Sequence, residues 1–78
     1  MTQRKVIKVW VDSNSVFIRT DKGEVYSRLF DDFPLLRKAT PTQRADFQYG
    51  KIGIRWNEID EDLSYNGFFK PQKNNYWT

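Results

Sequence analysis

The first thirty residues alternate apolar and polar side chains in three short runs, with turn-forming residues between the runs. Residues 5–12 place Ile7, Val9 and Val11 on one face of a strand. The same alternation recurs in the other two runs, residues 16–20 and 24–29. Connections this short join neighbouring antiparallel strands, so the sequence predicts a three-stranded meander.

The apolar period changes after the third strand, and two short helices are predicted there. Residues 33–39 suit a helix with Pro34 in its first turn and either Asp31 or Asp32 as its N-cap. A second helix is predicted over residues 41–47. Its start matches a capping box, formed by Thr40, Pro41 and Gln43.

A fourth strand is predicted over residues 52–56, immediately before the most acidic part of the chain. Asp60 or Asp62 is expected to open a third short helix that reaches about Asn66, with Gly67 as its C-terminal stop. Two large apolar residues flank the acidic turn and are expected to clamp it to the sheet in the core: Trp56 and Leu63.

These elements predict an α+β fold, in which an antiparallel three- to four-stranded sheet carries two or three short helices on one face. The chain of 78 residues is expected to form one domain over residues 1–69, followed by a polar, loosely ordered tail over residues 70–78. Aromatic residues make up 17 % of the chain. Their large side chains can build a core without a disulfide or a structural metal.

Several classes of chemistry lack the residues they need. The chain has no cysteine and no histidine, which removes thiol nucleophiles, zinc–thiolate sites and histidine bases. It also has no glycine-rich phosphate loop. We therefore expect a protein that is not an enzyme and needs no cofactor. No apolar run is long enough to span a membrane and no signal-peptide pattern is present, so we expect a cytoplasmic location.

The distribution of charge gives the first candidate site. Residues 57–62 carry four acids and no base, whereas the rest of the chain has six acids against 13 bases, a charge of +7. The acids can cap a helix, bind a basic partner or hold a metal ion, although they lack the ligand spacing of a calcium loop. The candidate partner-binding residues are Arg55, Glu58, Asp60, Glu61 and Asp62.

The predicted meander gives the second candidate, a basic sheet face. Trp10, Phe17 and Tyr26 lie between basic residues and could stack on bases, while the cations contact phosphates. The alternative is that these charges are solvated and prevent strand edges from aggregating. The candidate nucleic-acid-binding residues are Arg4, Lys5, Lys8, Arg19 and Arg28, with Lys22 on the adjoining loop.

Two blocks of sequence resemble a known family. Residues 39–44, Ala-Thr-Pro-Thr-Gln-Arg, are followed by residues 53–64, which begin Gly-Ile-Arg-Trp and end Asp-Glu-Asp-Leu-Ser. Together they resemble the bacterial domain-of-unknown-function family 2442, and the similarity extends over the chain up to about Phe69. Arg55 stands where relatives often have His, and Asn57 stands where they often have Pro, so a role for that His does not carry over.

The resemblance implies a small bacterial α+β protein without assigned catalytic residues. Relatives are often encoded beside another small protein in an arrangement like that of a toxin–antitoxin pair, and some are fused to a helix-turn-helix domain. We therefore expect a protein–protein interaction module, an antitoxin-like partner of a small neighbouring protein. The alternative is a nucleic-acid-binding regulator that uses the basic sheet face.

Overall fold

The computed structural model of the chain describes residues 4–69. Two short antiparallel sheets and three short helices follow one another along the chain. The first sheet contains β1 (Val6–Val11), β2 (Ser15–Thr20) and β3 (Val25–Leu29). The helices are α1 (Pro34–Arg37), α2 (Pro41–Ala45) and α3 (Asn66–Phe69). The second sheet contains β4 (Gln48–Tyr49), β5 (Gly53–Trp56) and β6 (Glu61–Ser64).

The first sheet is the predicted meander, with strand order β1-β2-β3. A register irregularity between Val6 and Lys8 interrupts the pairing of β1 with β2. Because a bulge inserts one residue into a strand, it shifts the alternation of the side chains before it. Val6 therefore packs against the core, while Ile7 is 53 % exposed. The prediction that Ile7 shares the face of Val9 was wrong for this reason.

The two central helices are shorter than predicted but begin where expected. Pro34 occupies the first turn of α1, whose N-cap is Phe33 without a side-chain hydrogen bond. Asp31 and Asp32 do not cap it, because they lie in a preceding 3₁₀ turn, Phe30–Asp32. The capping box of α2 is confirmed: the backbone N–H of residue 43 donates to the Thr40 hydroxyl, and the Gln43 side-chain oxygen accepts from the Thr40 N–H.

The second sheet replaces the predicted helix after the acidic turn. Residues 61–64 form β6, which pairs with β5 in an antiparallel hairpin. Asp60 ends the connecting loop with a φ of +56°, a left-handed conformation that Asp adopts more readily than most residues. The helix instead starts at Asn66, and Gly67 lies inside it instead of stopping it. The acids thus belong to a hairpin, and their predicted role as helix caps was wrong.

One buried cluster draws side chains from both sheets and from the helices between them. Trp56 is fully buried and its indole N–H donates to the Arg44 carbonyl oxygen at 2.9 Å, so β5 is joined to the end of α2. Leu63 is 8 % exposed, and the prediction that Trp56 and Leu63 are core residues is confirmed. The buried hydrophobic residues are Val9, Val16, Ile18, Phe30, Leu36, Ile54, Trp56, Leu63, Tyr65 and Phe68.

The α+β class is confirmed, with one difference in architecture. The strands form two three-stranded sheets, because β4 and β6 pair on either side of β5 instead of extending the first sheet. The predicted polar tail, residues 70–78, lies outside the described residues. Within the described part of the chain, every helix is too short or too polar to cross a membrane.

Candidate functional site

The acidic turn surrounds Arg55, which projects from the outer face of the second sheet. Its guanidinium contacts Asp60 at 2.6 Å and Asp62 at 3.3 Å, and its Nε–H donates to the Asn57 side-chain oxygen at 2.8 Å. Asp60 and Asp62 are mostly exposed, with 85 % and 73 % of their side-chain surface accessible. Exposed ion pairs of this kind each stabilise a fold by roughly 0–1 kcal/mol. Arg55 therefore offsets part of the acidic charge without burying it.

Glu58 and Glu61 are the two acids of the turn that Arg55 does not contact among the described residues. The Gln43 side-chain amide donates to Glu58 at 3.2 Å, which links the turn to α2. Glu61 is half-buried on the same face as its partner Trp56. Within residues 4–69, no group of three or more acidic side chains is placed to hold one metal ion. A partner-binding role for this turn stays a prediction.

The predicted basic face divides between the two sides of the first sheet. Cross-strand partners lie on one face, so Lys8, Arg19 and Val25 share the outer face. Arg28 lies on the inner face, where its guanidinium donates to the Gly67 carbonyl oxygen at 2.8 Å and lies 4.9 Å from the centre of the Phe33 ring. Of the predicted sheet cations, Lys8 and Arg19 are therefore brought together, and Arg28 is separated from them.

Arg4 and Lys5 precede β1 and are not among the residues that its pairing with β2 assigns to a face. Arg4 contacts Glu24 at 2.8 Å, and this hydrogen-bonded pair raises the pKa of Arg4 and lowers the pKa of Glu24. The Lys5 backbone N–H approaches the Asp21 carboxylate at 3.4 Å. Both basic residues line an open groove of about 700 Å³ that also includes Lys51.

A stacked aromatic pair occupies the centre of the outer face. The rings of Trp10 and Phe17 are 5.4 Å apart and inclined by only 6°. Lys8 Nζ lies 5.4 Å from the centre of the Trp10 ring, and the Arg19 guanidinium carbon lies 6.0 Å from it. This surface, formed by Lys8, Trp10, Phe17 and Arg19, is called the aromatic platform below. Its two cations are exposed and its two rings are half-buried, so it presents two charges and part of each ring to solvent.

The alternation along β3 decides what flanks the platform. Val25 and Leu29 are 50 % and 52 % exposed beside it, although sequence reasoning did not assign them to a surface. Tyr26, which was predicted to stack on bases together with Trp10 and Phe17, points to the inner face and packs edge-on against Phe69. The sequence could have shown this, because Tyr26 directly follows Val25 in β3 and adjacent residues of a strand point to opposite faces.

A family model described as "Protein of unknown function (DUF2442)" matches residues 6–74. The chain belongs to this family. No curated protein and no solved structure matches the chain significantly. The match covers all the strands and helices described above, so the fold described here is that of a DUF2442 protein.

The sequence blocks that carry the DUF2442 resemblance have structural roles here. Thr40 and Gln43 form the capping box of α2, and Arg44 donates to three backbone carbonyls, those of Leu36, Ser13 and Arg37. The second block supplies the hairpin: Ile54 and Trp56 are buried, and Gly53 lies against the Leu63 backbone. The buried and capping residues of these blocks stabilise the fold, whereas the exposed acids of the second block remain a candidate binding surface.

Proposed function

We propose that this DUF2442 protein is a non-enzymatic protein-binding module, an antitoxin-like partner of a small neighbouring protein, and that it binds an acidic surface of that partner through the aromatic platform. The observation that carries the proposal is the outer face of the first sheet, where Trp10 and Phe17 stack beside Lys8 and Arg19. Aromatic residues and arginine are the side chains most enriched where protein interfaces derive their binding energy.

Charge supports an acidic partner. The residues that β2 and β3 place on this face beside the platform are Ser15, Val25, Ser27 and Leu29, none of which carries a negative charge. An approaching carboxylate therefore meets two cations, and its association is steered by their field. The acidic turn lies on the second sheet and would contact a separate, basic region of the partner.

Single-stranded nucleic acid is the alternative ligand. Parallel rings with adjacent cations are the arrangement on which bases stack while basic side chains contact phosphates. Protein is favoured because Arg4 and Arg28 are held elsewhere by Glu24 and Gly67, which leaves two cations on the platform. The aliphatic surface of Val25 and Leu29 also suits an apolar protein contact better than a phosphate chain.

The test is co-purification with the product of a neighbouring gene, followed by binding kinetics with Lys8→Glu/Arg19→Glu. We expect this double charge reversal to weaken binding by at least about tenfold, mainly through slower association. The matched control is Lys22→Glu/Lys51→Glu, which reverses two exposed cations outside the platform and should change the affinity little.

The same variants separate the two ligands. If the platform binds single-stranded oligonucleotides, the affinity should fall steeply with salt and the double reversal should abolish it. That result would favour the nucleic-acid alternative. Equal loss of partner binding in the platform variant and in the control variant would refute the assignment of the site to the platform.

A further inference from the structure

The far edge of β3 carries backbone groups that point away from the first sheet. At its two ends, the Thr20 N–H donates to the Glu24 carbonyl and the Phe30 N–H donates to the Asn14 carbonyl, each at 2.9 Å. Hydrogen-bonded and non-hydrogen-bonded pairs alternate along an antiparallel ladder. Every second residue of β3 therefore directs its N–H and C=O away from β2; these residues are Val25, Ser27 and Leu29.

Within residues 4–69, no strand pairs with this edge. Proteins usually protect such edges with bulges, charges or proline. The other edge strand of the first sheet, β1, has a bulge beside Lys8, and the edge strand β6 of the second sheet carries Glu61 and Asp62.

β3 has an unbroken register over five residues, contains no proline and exposes Val25 and Leu29. Its one charged side chain, Arg28, points inward and is held by the Gly67 carbonyl oxygen. Among the described strands, β3 is the longest edge strand with an unbroken register.

We propose that the chain forms a two-fold dimer in which β3 pairs with β3 of a second copy, centred on Ser27. In this register Ser27 lies opposite itself, and Val25 lies opposite Leu29 of the second copy. All three outward-pointing residues then fall at hydrogen-bonded positions, which gives about six backbone hydrogen bonds across the interface. The exposed valine and leucine form an apolar cross-strand pair on each side of the axis.

The inner face is compatible with the same symmetry. Tyr26 lies opposite Arg28 of the second copy, so no like charges meet across the axis. Arg28 Nε is buried and lacks a hydrogen-bond acceptor among the described residues. A polar group brought beside it by a second copy would therefore be favourable. The hydrogen-bond register, the apolar cross-strand pairs and the absence of facing like charges all suit pairing of β3 with a second copy of itself.

The dimer would join two first sheets into one six-stranded sheet. Both aromatic platforms would then lie on the same face of this sheet, because the two-fold axis is perpendicular to it. The inference does not rest on what the platform binds, and the residues tested below lie outside the platform.

Cross-linking tests the register directly, because the chain contains no cysteine. Residues at a hydrogen-bonded antiparallel position have Cα atoms about 5.5 Å apart, a distance that a disulfide can bridge. Ser27→Cys should therefore form a disulfide-linked dimer under mild oxidation. Ser13→Cys, an exposed loop position, is the matched control and should remain mostly monomeric at the same concentration.

Sedimentation equilibrium tests the edge without covalent chemistry. Ser27→Pro removes an outward-pointing N–H, and Ser27→Lys places like charges on the axis. Each should raise the dimer dissociation constant by at least about tenfold relative to the unaltered chain, whereas Ser13→Lys should not. Circular dichroism would confirm that each variant is folded.

Two results would overturn the proposal. One is an unaltered chain that remains monomeric up to millimolar concentration, as expected if residues 70–78 cover the edge within one molecule. The other is dimerisation of Ser27→Lys with the affinity of the unaltered chain, together with equal cross-linking of Ser27→Cys and Ser13→Cys.

Discussion

Gly53 shows how one residue determines the spacing of the second sheet. A Cβ atom at this position would clash with the Leu63 backbone carbonyl oxygen, because β5 and β6 approach closely where Gly53 faces Ser64. We expect Gly53→Ala to lower the free energy of unfolding by about 1–3 kcal/mol, the usual cost of overpacking. Chemical denaturation monitored by circular dichroism would measure it.

Gly50 provides the control for this prediction. A Cβ atom there would meet nothing within 4 Å, and its φ is not positive. Gly50→Ala should leave the stability unchanged or raise it by about 0.4–1 kcal/mol through the unfolded state. Equal destabilisation by the two substitutions would contradict the close approach of β5 and β6.

Tyr65 makes the stability of the fold depend on pH in the alkaline range. Its hydroxyl donates to the Gly50 carbonyl oxygen at 2.8 Å, and burial, with a smaller effect from Tyr49, raises its pKa from 10.0 to about 12. In the unfolded chain the Tyr65 hydroxyl loses its proton at a lower pH than in the folded chain. Its contribution to stability is therefore fully present below pH 10 and is lost as the pH rises through about 12. Stability should therefore fall across this window.

Tyr65→Phe should change that profile in two ways. At neutral pH it should cost about 0.5–1.5 kcal/mol, because a hydrogen bond is lost. Between pH 10 and 12 its stability should fall less steeply than that of the unaltered chain, since the other titrating groups are common to both proteins. Parallel curves of unfolding free energy against pH would show that Tyr65 does not titrate with folding.

At the scale of elements, the sequence predicted β1, β2, β3, β5 and the capping box, but it missed β4 and read β6 as a helix. The capping box is local chemistry, so Thr40 and Gln43 identify it without tertiary information. Residues 61–64 alternate over only four positions, and their acids are typical of a helix start. What makes them a strand is pairing with β5, a non-local interaction that short-range pattern does not report.

The hairpin depends on the left-handed conformation of Asp60, which has a φ of +56°. Asp60→Val should cost about 1–2 kcal/mol, since a β-branched residue is strained there. Asp60→Gly removes the same exposed contact with Arg55 but relieves the backbone, so it should be clearly more stable than Asp60→Val. Thermal denaturation of both variants would measure the difference. Equal melting temperatures would assign any loss to the Arg55 contact alone.

At the scale of the whole molecule, the candidate surfaces were predictable in composition but not in arrangement. The sequence identified Lys8, Arg19, Trp10 and Phe17, and the outer face brings them together. It grouped Arg28 and Tyr26 with them, although the alternation of β3 turns both inward. The bulge in β1 and the division into two sheets depend on how strands pack, so neither could be predicted from periodicity.

The two sheets share one buried cluster, so we expect them to unfold together. Leu63 in β6 and Ile18 in β2 belong to this cluster although they lie in different sheets. Leu63→Ala should lower the free energy of unfolding by about 2–5 kcal/mol, a large fraction of the roughly 5–15 kcal/mol typical of a domain. Leu35→Ala, the same change at a side chain that is 46 % exposed, should stay within about 0.5 kcal/mol.

Native-state hydrogen exchange would show whether Leu63→Ala lowers the stability of both sheets. If the shared core makes unfolding cooperative, Leu63→Ala should reduce the protection of amides in β2 and in β5 by the same free energy. Faster exchange confined to β5 and β6 would mean instead that the second sheet opens on its own. In that case the hydrogen bond from Trp56 to the Arg44 carbonyl oxygen would hold the second sheet to α2 without coupling it to β2.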